Sequence, residues 1–300
     1  FGGDIGQLIT DAKAYNPAGY DASWSNGSIT HMDTFTSGLA IVVAVTAAEM
    51  FSQGNWQRTW ASENDEALRK GALIASALVF PLVFIMGFFG TVVAGQGMID
   101  DPSVAFLHLI DNSGTLLISA FIILVIALVC SSADTLQNAI VASITRDLSD
   151  GKLQLLHARI ATVAMIPIAI YLATGPTIFG FAFNSWSVFG IFLFADLLAA
   201  ATVSPILLTL WNKVSSKGAL LGSIFGIISI IIYGFIEPPA DYVGELKNFR
   251  YLFHPTIGSI PASDGGLTNL WPFVSAILGS TIVTIVGSFV MPDNDKTNQS

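Results

Sequence analysis

Ser131, Asp134, Thr135 and Asn138 stand at i, i+3, i+4 and i+7 within an otherwise greasy stretch. A continuous helix would carry these four oxygen-bearing side chains on one face, while Ala133, Leu136, Ala139 and Ile140 keep the other faces apolar. Hydroxyl and carboxylate oxygens are hard ligands, and a helix that gathers several of them in one turn supplies part of a coordination shell for a hard cation. The competing chemistry is internal, with hydroxyls donating to the carbonyls four residues back and Asp134 pairing with a neighbouring helix. Neither reading lets the column face lipid, because a carboxylate at the bilayer centre costs about 2.5 to 3.5 kcal/mol. Glu49 and Asp196 are two further acids in apolar surroundings. Such acids serve as proton relays, ion ligands or pairing partners. Asn184 and Ser187 could touch a substrate or glue helices together.

Composition says which solvent these residues meet. Hydrophobic residues make up 53% of the 300 and charged ones 11%, with a mean hydropathy of +0.68, whereas soluble domains are about 25% charged. The expected class is an all-α, polytopic membrane protein of about seven transmembrane helices. Formal charge is −9, but the excess acid lies in polar loops and the tail. No basic cluster offers itself to nucleic acid. The single cysteine, Cys130, sits in an apolar run, where it reads as a small packing residue and excludes an intrachain disulfide. His31, His108, His157 and His254 are scattered without metal-ligand spacing. Without a GxSxG elbow, Walker A loop, GxGxxG or HExxH, the chain does not read as an enzyme.

The elements that must position the column follow from hydropathy. Residues 1–37 are polar and turn-rich, carry the sequon Asn26-Gly27-Ser28, and read as an external loop. Span A has an apolar run of only ten residues, 39–48, interrupted by Glu49 and by Ser-Gln-Gly-Asn at 52–55. It is a broken helix over about 36–60, a re-entrant piece, or a short helix ended near Gly54. Residues 63–70 read as a solvated loop or surface helix, and span B runs over 71–96 with Pro81 inside. A short amphipathic helix capped by Ser103 precedes span C at 116–148. Span D covers 160–173. Span E covers 178–211 and sets Asp196 roughly 22 Å from Trp211 along a helix rising 1.5 Å per residue. Spans F (218–236) and G (270–291) close the chain, with a polar tail after them. One domain is expected throughout.

With residues 1–35 outside, nine basic residues (Arg58, Arg69, Lys70, Arg146, Lys152, Arg159, Lys213, Lys217 and Lys296) fall on the inner side, against Lys13, Lys247 and Arg250 outside. That bias favours this orientation. The chain opens at Phe1 without a methionine, which suggests a piece of something longer.

Two segments carry a family likeness. SQGNWQRTWAS at 52–62 is similar to the Gln-x-x-x-Gln-Arg-x-x-Ala stretch that follows the broken sixth core helix of the sodium:solute symporter family. ALVCSSADTLQNAIVASITRDL at 127–148 resembles that family's eighth core helix, with its paired hydroxyls and closing Thr-x-Asp-Leu. The resemblance implies a LeuT-type inverted-repeat core in which residues 38–211 are core helices six to ten, 218–291 are two peripheral helices, and 292–300 are a cytoplasmic tail. It also implies that Ser131, Ser132 and the backbone carbonyl of Leu128 hold a first sodium ion. Asp134 and Thr135 match the positions of a second cation site, where an aspartate departs from the usual hydroxyl and suits a cation or a proton. The first core helix, which should complete both the sodium and the substrate site, is not matched by any segment, so a preceding N-terminal half of the same transporter is the implied partner.

The expected function is therefore secondary active transport in a membrane, the plasma membrane being the expected one. Inward sodium movement would drive uptake of a small polar solute by alternating access, with Glu49, Gln53, Asn184 and Asp196 in the substrate cavity or coupling path and no other cofactor. Urea is the solute suggested by the Trp-Gln-Arg at 56–58. A seven-helix receptor, or a ligand-binding membrane protein that does not transport, is the alternative.

Overall fold

The structure is a computed structural model that describes residues 4–15, 32–95, 110, 113–143, 155–173, 177–178, 181–182, 188–239, 247–253, 256–257 and 267–293. Its helices are α1 (Ile5–Tyr15), α2 (Met32–Phe51), α3 (Gln53–Trp60), α4 (Asp65–Gly95), α5 (Thr115–Ser143), α6 (Leu155–Ala173), α7 (Val188–Leu208), α8 (Ser216–Ile236), α9 (Arg250–Phe253, preceded by a 3-10 turn at Lys247–Phe249) and α10 (Leu270–Val290). Two antiparallel pairs of two-residue strands, β1 (Thr177–Ile178) with β2 (Phe181–Ala182) and β3 (Thr256–Ile257) with β4 (Leu267–Thr268), sit in the connections. Among the described residues five helices are long and apolar enough to cross a membrane, or six if the bent pair α2–α3 is one span. The chain is an all-α, polytopic membrane protein.

Several boundaries differ from those expected. Span A breaks at Ser52, where the two helical pieces are bent by 59°. Ser52 N–H still donates to the Ala48 carbonyl at 2.9 Å, so the break follows a completed last turn. Residues 63–70 were expected as a solvated loop or surface helix, and residues 65–70 are exposed helix, continuous with the apolar run as the start of α4. Asn64 caps that helix by accepting from Ala67 N–H at 2.8 Å, and Lys70 pairs with Glu66 at 2.6 Å, so charged residues are accommodated as helix before the apolar run begins. Span E does not start as helix: residues 177–178 and 181–182 pair as strands, and the described helix covers Val188–Leu208. Cys130 is exposed on α5, not packed. The amphipathic helix expected after Ser103 and the end of span C beyond Ser143 lie outside the described residues.

The described chain divides into two compact units, residues 1–52 with 189–300, and residues 53–188. The first is built on α8 against α10. Gly218, Gly222 and Gly226 recur every fourth residue on α8, which stacks them on one face. A Cβ at Gly222 would overlap the Thr284 hydroxyl, and one at Gly226 would lie 2.6 Å from the Ala201 carbonyl of α7. Bare backbone at these positions is what lets the helices approach, as small residues do in membrane bundles, where apolar burial gives no net drive. The start of α8 and the end of α10 are tied by polar contacts. Ser215 caps α8 through Gly218 N–H at 3.0 Å and donates its own N–H to Ser288 Oγ at 3.1 Å. Asp293 accepts from Ser216 N–H at 2.9 Å. Around this pair Ala40, Ala44 and Ala47 of α2 join Leu197 and Ala200 of α7, Ile230 and Phe273 in one core. At the other end, Ser37 of α2 accepts from Thr268 N–H at 2.9 Å, both residues being buried.

In the second unit α3 packs on α5, and α5 on α6. The apolar windows of α4 and α5 bury nothing against the rest of the described chain, whereas 44% of α7's window is buried. Leu73, Phe80 and Phe84 of α4 and Leu116 and Ile123 of α5 are exposed, as helix faces bathed in hydrocarbon or covered by other protein would be.

Candidate functional site

In the second unit α5 runs without interruption from Thr115 to Ser143. The helix continues through the polar stretch, and Ser131, Asp134, Thr135 and Asn138 occupy one face of it. Ser131, Ser132, Asp134 and Asn138 are exposed and Thr135 partly so, while Ala139 is the residue α5 buries. Leu128 is 59% exposed. Thr135 donates its hydroxyl hydrogen to the Ser131 carbonyl at 3.0 Å. That back-bond is the internal use of a helical hydroxyl, and it occupies the hydrogen while leaving the Thr135 oxygen able to accept or ligate.

The two family-like segments meet here. The short helix α3, which carries Gln53 and the Trp56-Gln57-Arg58 triplet, packs against α5, which carries the oxygen column. Gly54 is the residue α3 buries, and a glycine there allows close backbone approach. Gln53 itself is exposed at the start of α3.

The first unit holds the two remaining acids. Asp196 lies near the middle of α7, is 2% exposed, and its Oδ2 has no hydrogen-bond partner among the described residues. Glu49, near the end of α2, is exposed. The helices that carry these acids share one hydrophobic core, in which Ala40, Ala44 and Ala47 of α2 join Leu193, Leu197 and Ala200 of α7. The spacing of Ala40, Ala44 and Ala47 marks the face of α2 that is buried in this core. Asn184 and Ser187 lie outside the described residues.

Comparison with known proteins gives one informative likeness. The chain is 25% identical over 257 residues to the spermidine transporter DUR31 of Candida albicans, a match covering 83% of this chain and 46% of that protein. The chain therefore spans about half the length of this relative. No family model matches the chain, and no solved structure does. The likeness is to a membrane transporter, and it extends over both units.

Proposed function

We propose that this chain is part of a secondary active transporter in which inward sodium movement drives uptake of a small polar solute by alternating access, as in the sodium:solute symporter family. The observation that carries the proposal is the exposed, one-sided oxygen column of α5 on an otherwise apolar spanning helix. Such a column needs a polar occupant, and Ser131, Ser132 and the Leu128 carbonyl, with Asp134 and Thr135 one turn further on, form a hard donor set suited to a small cation. The break at Ser52 supports a solute site beside it, since interrupted helices in transporters free backbone groups to line a cavity. The missing ligands would come from a preceding half of the same transporter.

For the solute, a polyamine ranks ahead of urea. The similar fungal protein is a spermidine transporter, and Glu49, Asp134 and Asp196 are acids suited to ammonium groups, whereas urea rests on the Trp56-Gln57-Arg58 triplet alone. The distinction matters energetically. One charge moving inward across 100 mV yields about 2.3 kcal/mol, enough to concentrate a neutral solute some tens of fold. A polycation collects that energy on each of its own charges and could enter without sodium.

The test is uptake of radiolabelled spermidine, urea, proline and glucose into proteoliposomes holding the full-length transporter, with and without a sodium gradient and at a clamped potential. Sodium-stimulated uptake that fails in Ser131→Ala is the expected result. Uptake indifferent to sodium at constant potential overturns the coupling, and binding without uptake would favour the receptor or ligand-binding reading.

A further inference from the structure

We propose that residues 247–253, the 3-10 turn and α9 together, form a lid that opens and closes over the end of α7 that carries Asp196. Three rings at alternate positions of this segment each meet a ring of a spanning helix. Phe249 lies edge-on to Phe235 of α8 with centroids 5.9 Å apart, and Tyr251 meets Tyr233 of α8 at 5.3 Å. Phe253 stacks on Phe194 of α7 at 6.1 Å, the planes 15° apart. Gly234 lets the segment settle on α8, since a Cβ there would run into the Asn248 carbonyl. The contact with Phe194 is the one that brings the segment to the acid. Phe194 lies two residues before Asp196, and Leu193, Asp196 and Leu197, at i, i+3 and i+4, are buried on one face of α7. Tyr251 belongs to the same core as Leu193 and Leu197.

The build of the segment suits movement. A three-residue turn and a four-residue helix do not hold their own shape, because isolated helices shorter than about 12 to 15 residues are marginal in water. Its conformation therefore depends on what it rests on. Within the segment Tyr251 is buried, Lys247 is exposed and the rest are half-buried, and parts of a protein with little buried apolar surface open locally at small cost. Stacked and edge-on rings part and re-form without stranding a backbone donor or acceptor. The opposite end of the α8–α10 pair is built differently. There Ser215 N–H donates to Ser288 and Ser216 N–H to Asp293, directed bonds that resist separation.

Closed, the lid keeps Asp196 away from water, although its Oδ2 has no hydrogen-bond partner among the described residues. A carboxylate oxygen left in that state gains from any water or cationic group that reaches it. Open, the lid supplies the route, from the side of the membrane on which α8 ends and α10 begins. The inference concerns access alone and stands without the transport reading.

Its test needs no solute. The full-length protein is placed in nanodiscs, which leave both membrane faces open to solvent, with native cysteines replaced and Leu193→Cys as the reporter. Labelling by a small water-soluble maleimide should be slow, and at least tenfold faster with Phe253→Ala added. Phe249→Ala is the sharper variant, because its ring meets Phe235 of α8 and a lid that moves as one body should still open over Leu193. At least fivefold faster labelling is expected from it. Val203→Cys, buried further along α7 in the same core, should stay slow in both. Spin labels at the exposed positions Lys247→Cys and Leu221→Cys should give two distances, the longer one gaining population with Phe249→Ala. Leu193→Cys labelling that ignores both ring deletions overturns the proposal. So does an acceleration by Phe253→Ala that Phe249→Ala does not share, which marks a local cavity, or one that Val203→Cys shares, which marks general loosening. A single spin-label distance, unmoved by Phe249→Ala, makes the segment fixed packing and overturns the lid as well. Should Phe253→Ala fail to fold, Phe253→Leu, which keeps apolar bulk without the stacked ring, takes its place beside Phe249→Ala.

Discussion

Single oxygens decide most of what this chain can do. Ser131 opens the α5 column, exposed, with its backbone carbonyl already accepting from Thr135. Its hydroxyl is therefore the group a substitution removes without disturbing the back-bond. If it ligates sodium, Ser131→Ala should weaken apparent sodium affinity about tenfold or more, since a hydrogen bond or contact to a charged group contributes about 1.5 to 3 kcal/mol. Uptake measured against sodium concentration reads that directly, and a leftward or absent shift would remove Ser131 from the site. Ser37 tests a structural oxygen by the same logic. It is the acceptor for the buried Thr268 N–H, so Ser37→Ala leaves a buried donor unsatisfied at a cost of about 1 to 3 kcal/mol. The expected outcome is a lower midpoint of thermal unfolding in detergent, with Ser37→Thr largely retaining it.

Helices are held here by shape more than by apolar burial. The α8–α10 pair places bare backbone at Gly222 against Thr284 and the Ser280 carbonyl, and in lipid such contact is the main source of association. Gly222→Val forces two rigid methyl groups into that space, a strain of about 1 to 3 kcal/mol or more. It should lower the unfolding midpoint clearly, while valine at Gly71, where nothing lies within 4 Å of a new Cβ, should not. Equal effects at the two positions would mean the α8–α10 approach is not as described. At the start of α4 the charged turn Asp65–Lys70 depends on Asn64 as its cap. Asn64→Ala should cost about 1 kcal/mol and be seen first as faster amide exchange over residues 65–69, without loss of the apolar span beyond them.

At the scale of the whole molecule, orientation is the property that charge alone sets. The expected topology, with nine basic residues inside against three outside, predicts that a thiol introduced by Lys13→Cys reacts with an impermeant reagent added outside, and one introduced by Lys217→Cys only after permeabilisation. The reverse pattern would turn every loop assignment over. The sequence by itself determined the solvent, the helical class, the limits of spans F and G to within a residue or two, and the one-sided column of α5. Each of these depends on periodicity and hydropathy, which are local, additive quantities that survive without knowing any neighbour. Where span E begins escaped it, because apolar residues before Val188 fit a strand pair as readily as a helix and only pairing decides between them. The gathering of α2, α7, α8 and α10 residues into one core, the landing of α3 on α5, and the glycine seam between α8 and α10 belong to tertiary structure. Those contacts join residues tens to more than a hundred positions apart, and which of several apolar faces meet is settled by the fit of small side chains across the interface, a quantity no single helix contains.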